Sequence, residues 1–368
     1  MKMHSLFAAL LLTASISAGQ SGDDAGVPVE PIRTIAFEGW TNVFELQNPA
    51  MTIVIIPSIG RIAKISYKGG DNLLRLDAGL KDRVPDGGKD ELWMNYGGDW
   101  IWPVAQSRWT MMAKSDWPPP RPLAEKPWTG TAWKDADGTL CCQMAREYGE
   151  PINIKVSRSI KLDKEASHFT IRQRIERTAP SELPVVLWNI SQIAGASRVV
   201  IPQGPDSMFE KGAKALLFAM PDDKRLTSCG HALVYDATEG EHKLCSDSKR
   251  SWIAAQKGGV AIVERASSED TQGTHPDGGC AVEMYSNAGL GYSEIETLSV
   301  EKKLLPGESL QNLITVDLLE AGSGLSACEL AGVICTTLGE TPEIQAPTIP
   351  AAPAEMPTMP QQQVISAP

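Results

Sequence analysis

The feature that most constrains this chain is a succession of short apolar runs that alternate at period two, or stay apolar for about the length of one strand. Phe169, Ile171 and Ile175 alternate with Thr170, Arg172, Arg174 and Glu176, and Leu310, Asn312, Ile314, Val316 and Leu318 keep the same period. Successive side chains of an extended chain point to opposite faces, so such a run buries one face and wets the other. Met51 to Ile56 (MTIVII) is apolar throughout and stops at Pro57, as suits a strand covered on both faces, and Ala63, Ile65 and Tyr67 then alternate with Lys64 and Ser66 before Gly69-Gly70. Further short runs lie at 152–156, 185–190, 199–201, 215–219, 260–263 and 281–285. Helical periodicity is almost absent until Ser326, where Ser326 and Glu329 make a capping-box pattern ahead of Leu330, Val333 and Ile334. These signals predict an all-β chain, an antiparallel sandwich or barrel over 31–322, followed by a short helix within 323–340.

The two ends read differently. Lys2, an apolar run from Leu6 to Ser17 and the small residues Ser17-Ala18-Gly19 predict a signal peptide over 1–19, then a flexible segment over 20–30. The mature chain is therefore expected to be periplasmic or secreted. That apolar run is shorter than the ~20 residues a bilayer requires, so no membrane span is expected. The segment 341–368, rich in Pro, Ala, Thr and Gln, reads as a disordered tail. Net charge is −11 and the 34 basic residues are scattered, which argues against a nucleic-acid partner. Seven cysteines suit an oxidising compartment but follow no metal-ligand spacing, so neither metal nor cofactor is expected. The expected disulfides join Cys229 to Cys245 across a hairpin and Cys328 to Cys335, with an odd cysteine left over.

Candidate binding residues gather in the stretch Asn95 to Trp109, NYGGDWIWPVAQSRW. Seven of the ten tryptophans fall between Trp93 and Trp133. Flat indole faces in a Gly- and Pro-rich stretch need a cover, which is either core or ligand. Beside Trp100 and Trp102, the polar groups of Asn95, Asp99, Gln106 and Arg108 suit a sugar, with C–H groups on its face and hydroxyls at its rim. Trp188, Asn189 and Gln192 offer a similar combination, although Trp188 is read equally well as core. Alternation places Glu294 and Glu296 on one face of a strand, ~7 Å apart. Two carboxylates at that separation raise each other's pKa towards acid–base duty if they line a groove, and are solvated surface groups if they do not.

Two stretches carry a family resemblance. Met51 to Leu74, with its strand, Pro, Ile-Gly, Arg-Ile, strand, Gly-Gly and Asp-Asn-Leu-Leu, resembles the opening of aldose 1-epimerases, the galactose mutarotases. Tyr292 to Leu310 (YSEIETLSVEKKLLPGESL) resembles their close, an Ile-Glu strand followed by a Leu-x-Pro-Gly-Glu turn. The middle, with GGDWIWPVAQSRW, SDWPPPRPL and LWNISQI, looks more like an uncharacterised bacterial branch of galactose mutarotase-like domains than a true galactose mutarotase. The resemblance implies a large antiparallel two-sheet supersandwich with a sugar groove on a concave face, and a carboxylate base at Glu296. It also implies a histidine acid, but the corresponding Val186 to Ile193, VLWNISQI, has none. Among the five histidines, His275 in GTHPDGGC is the candidate replacement; Asp99, held protonated against Trp100 and Trp102, is another. The chain is thus expected to take a sugar or oligosaccharide, as an epimerase-like isomerase with Glu296, Glu294 and His275 at its centre. The rival readings are a non-catalytic carbohydrate-binding protein with the same groove, and a structural envelope protein with no ligand.

Overall fold

A computed structural model describes residues 32–86, 93–114, 117–123, 126–268 and 270–340; the expected signal peptide, flexible segment and tail lie outside them. The described chain forms two antiparallel sheets of ten strands each, numbered here in chain order. Across the first sheet run β1 (Ile32–Phe37), β2 (Trp40–Gln47), β3 (Met51–Ile56), β4 (Arg61–Tyr67), β5 (Asp99–Trp102), β10 (Trp188–Ala194), β19 (Tyr292–Leu298), β18 (Val282–Asn287), β15 (Glu241–Ser246) and β12 (Lys214–Leu217). Across the second run β13 (Leu226–Ser228), β14 (Ala232–Asp236), β11 (Arg198–Pro202), β16 (Trp252–Lys257), β17 (Val260–Ser268), β20 (Ser309–Glu320), β9 (His168–Arg177), β8 (Ile154–Leu162), β7 (Leu140–Tyr148) and β6 (Thr129–Lys134). Of the sandwich and the barrel that the alternation leaves open, this is the two-sheet sandwich that the resemblance implies.

The second sheet follows the period-two rule closely. In β8 the buried residues are Ile154, Val156, Arg158, Ile160 and Leu162, and in β9 Phe169, Ile171, Gln173, Ile175 and Arg177. Their apolar members pack against the first sheet in one continuous core. The outer face at the other end of this sheet is covered by the helix Ala327–Thr337, which Ser326 and Glu329 start through a reciprocal capping box. Leu330, Ala331 and Ile334 of the helix pack with Val200, Val234, Trp252 and Ala254.

The central strands of the first sheet break the rule. Every residue of β5 is buried, as are all but one in β10 and in β19. One face of these strands packs on the second sheet, and the other is covered by loops and by the tryptophan-rich segment. The candidate site lies on that covered outer face.

The disulfides correct the pairing expected from proximity in sequence. Cys229 joins Cys328, and Cys245 joins Cys280. Cys229 follows β13 of the second sheet whereas Cys245 lies in β15 of the first, so the expected hairpin between them does not exist. Cys328 and Cys335 sit on one helix seven residues apart, a rise of ~10 Å, beyond disulfide reach. Cys141, Cys142 and Cys335 are free and buried.

Candidate functional site

The segment GGDWIW begins with a steric requirement. Gly97 and Gly98 have φ of 81° and 78°, and a Cβ would stand 2.2 Å from the Arg75 carbonyl oxygen at the first and 2.5 Å from that of Ile62 at the second. Only glycine allows this approach. It lets Gly98 N donate to Arg75 O at 2.7 Å and sets β5 beside β10.

From there the register places the chemistry. In β10, Trp188 is opposite Trp102 and Leu298, Ile190 is opposite Trp100 and Glu296, and Gln192 is opposite Glu294. Beyond β19, Glu283 is opposite Glu296, Tyr285 is opposite Glu294, and Lys243 of β15 is opposite Tyr285. Directly paired residues share a sheet face. The outer face of the first sheet therefore gathers three glutamates, Lys243 and Trp188. Lys243 Nζ lies 2.8 Å from Glu283 Oε2 and 3.6 Å from Glu296 Oε2, and 5.0 Å from the centre of the Trp188 ring. Trp188 Nε1 donates to Glu296 Oε2 at 2.7 Å.

A rim of polar groups follows. Gln192 Nε2 donates to Glu294 Oε1 at 2.7 Å, and Arg75 Nη1 donates to Gln192 Oε1 at 2.9 Å and to the Asn95 carbonyl at 3.2 Å. Arg75 also lies over Tyr292, 5.0 Å from the ring centre. Glu283 and Glu296 are almost sealed, at 0% and 1% exposure, while Glu294 is half-buried.

Burial dominates the electrostatics. It raises Glu283 to about 8, against the attraction of Lys243, and Glu296 to about 7, against Lys243 and the Trp188 N–H but with the help of the Glu294 charge. Glu294 is also raised, chiefly by burial. Burial alone would lower Lys243, but Glu283 and Glu296 outweigh it and hold the ammonium charged. One cation facing three carboxyls leaves protons in the cluster at neutral pH, so it holds both an acid and a base.

The structure thus brings together Glu294, Glu296, Trp188 and Gln192, with Asn95 at the rim through Arg75. It separates others. Asp99 and Asn189 lie on the opposite face of β5 and β10, between the sheets. There Asp99 pairs with buried Arg158, and Asn189 Nδ2 donates to Asp99 Oδ2 at 2.7 Å and to Glu264 Oε2 at 3.1 Å. The expectation that they contact a ligand is corrected: alternation turns their side chains inward, where a buried guanidinium needs a carboxylate. Trp100 and Trp102 are on the outer face but are buried by protein groups, Trp100 under the Arg61 guanidinium and Trp102 among other indoles. Trp102 meets Trp109 at 4.9 Å and Trp188 at 5.0 Å, edge to face. Arg108, in the turn Gln106–Met111 that also holds Gln106, forms a two-pronged pair with Glu301 at 3.0 and 2.9 Å. His275 is half-buried and bonded to the backbone of Leu298 and Ser299 at the end of β19; burial lowers its pKa.

Sequence reasoning missed Lys243, Glu283 and Arg75. Each acts across strands that are distant along the chain, so no local spacing marks it. A lysine directly before the apolar pair Leu244-Cys245 in HKLCS was the one available signal.

No family model matches the sequence, and no curated protein matches it. Solved structures do match in fold, and the chain has the galactose mutarotase-like, aldose 1-epimerase-like sandwich fold. A putative aldose 1-epimerase from Klebsiella pneumoniae superposes with a TM-score of 0.53 at 10% identity, over 86% of this chain and 91% of that one. A putative aldose 1-epimerase from Escherichia coli K12 gives 0.50 at 12% identity, over 76% and 99%. A TPR-domain containing protein from Parabacteroides distasonis gives 0.51 at 13% identity, over 77% of this chain and 48% of that one.

Proposed function

We propose that this is an exported carbohydrate-active protein whose outer sheet face takes an aldose and exchanges its anomers. The observation that carries the reading is the convergence of Glu283, Glu294, Glu296 and Lys243 beside Trp188, with carboxyl groups raised into the neutral range. Anomer exchange needs a base for the proton of the anomeric hydroxyl and an acid for the ring oxygen, so that the ring opens, rotates and recloses. In this reading Glu296 is the base, with half-buried Glu294 facing the incoming ring. The acid is a carboxyl of the same cluster that keeps its proton at neutral pH, Glu283 being the most strongly raised. Gln192, Arg75 and Asn95 supply the donors and acceptors that hydroxyl groups require.

The test is anomer interconversion of galactose and glucose, followed by NMR with the wild type and Glu296→Gln. A rate above the spontaneous background that the variant loses supports the reading. A background rate in the wild type sinks it. A second reading, sugar binding without chemistry, is favoured by the 1% exposure of Glu296, and it predicts saturable sugar binding with no acceleration.

A further inference from the structure

A recess beside β5, lined in part by Trp100, Ile101 and Trp102, has a volume of about 30 Å³. Arg61, Arg146, Lys126, Trp100, Trp128 and Tyr148 are among the groups that line it. No aspartate or glutamate is among its described lining residues.

Arg61 is the unusual member. It is 8% exposed, and its guanidinium lies 4.7 Å from the centre of the Trp100 ring and 5.8 Å from that of Tyr96. Its one hydrogen bond among the described residues is a long one, 3.4 Å from Nη1 to the Ile59 carbonyl, and its Nε has no partner. The neighbouring carboxylate, Asp99, is taken by Arg158. Two further buried donors at this recess, Trp100 Nε1 and Arg146 Nε, also lack partners among the described residues. Burial lowers Arg61 to about 10, which leaves it fully charged at neutral pH. A buried guanidinium with no carboxylate partner among the described residues is costly. Here three buried N–H groups without a partner among the described residues belong to side chains that line one small cavity.

We propose that this recess binds the carboxylate of an acidic saccharide, with Arg61 holding the anion, the free Nε of Arg146 donating to it while that residue's two terminal nitrogens stay on the Leu123 and Pro122 carbonyls, and the indole of Trp128 covering the adjoining carbon frame. The saccharide class rests on the reading of the protein as carbohydrate-active; the anion preference rests on the recess alone. Gly60 is part of the construction. Its φ is 65°, and a Cβ there would stand 2.5 Å from Trp128 Nε1, so the glycine lets that indole close down beside Arg61.

The test is titration of the whole protein with galacturonate and with galactose, followed by tryptophan emission and by the thermal midpoint. The wild type is expected to bind galacturonate at least tenfold more tightly than galactose. Arg61→Met should abolish that preference while leaving galactose binding unchanged. Arg61→Lys, which keeps the charge but loses the fork, should weaken galacturonate about tenfold and covers the case in which the methionine variant does not fold. Equal affinities for the two sugars in the wild type, a preference that survives in Arg61→Met, or an undiminished galacturonate affinity in Arg61→Lys would overturn the proposal. Failure of anomer exchange with a neutral aldose leaves this outcome untouched, because it is read with another ligand and another variant. If neither sugar binds, acetate is the deciding probe. A rise in thermal midpoint with acetate that Arg61→Met loses supports the anion site, and no rise refutes it.

Discussion

Replacing Lys243 with methionine should destabilise the protein in alkali and hardly at all in acid. At an effective dielectric of about 20, the ammonium gains about 6 kcal/mol from Glu283 at 2.8 Å and about 5 kcal/mol from Glu296 at 3.6 Å. Desolvation of all three groups offsets most of this, and removal of one partner from a buried cluster typically leaves a net loss of ~3–5 kcal/mol. The sign with pH follows from the carboxyls. Their folded-state pKa values, about 8 and about 7, lie above the ordinary 4.5, so the folded protein holds these protons more tightly than the unfolded chain does. The stability this confers is complete below about pH 4.5 and is lost as pH rises through 7 and 8. The ion pairs with Lys243 form over that same rise. In urea unfolding followed by tryptophan emission, Lys243→Met should therefore lose ~3–5 kcal/mol at pH 9 and within ~1 kcal/mol of nothing at pH 5. The same loss at both pH values, or less than ~1 kcal/mol at pH 9, would refute the reasoning.

Glu264 is buried between the sheets and raised to about 8, first by burial and then by the charge of Asp99. A neutral isostere lacks the stability lost between about pH 4.5 and 8, so Glu264→Gln should exceed the wild type by on the order of a few kcal/mol at pH 9 and match it at pH 4, by urea midpoint. Gly98→Ala should cost at least ~2 kcal/mol, because the residue sits at φ 78° and its Cβ would meet a backbone oxygen at 2.5 Å; a change below ~1 kcal/mol in denaturant would contradict this. The Cys229–Cys328 disulfide spans 99 residues of sequence, so replacing both cysteines with serine should lower stability by ~4 kcal/mol, measured as the shift in guanidinium midpoint.

The fold was largely legible because period two survives wherever one sheet face is wet, as in Ile154–Leu162, His168–Arg177 and Ser309–Glu320. The capping box at Ser326 was equally local. The candidate site was legible only in part. Alternation correctly put Glu294 and Glu296 on one face, but it could not say that loops bury that face. Nor could it reveal that Lys243 and Glu283 arrive from two neighbouring strands to share the charge. Asp99 and Asn189 were misplaced for a related reason. Each adjoins a tryptophan in sequence, and in a strand adjacent residues point apart. The disulfides failed where proximity along the chain was taken for proximity in space.

The most direct test of the account is a crystal structure of the protein soaked with galactose. The account predicts a ring on the outer face of the first sheet, with its anomeric hydroxyl within hydrogen-bond reach of Glu294 or Glu296 and its other hydroxyls on Gln192 or Arg75. A ring bound elsewhere at saturating sugar, or none at all, would contradict it.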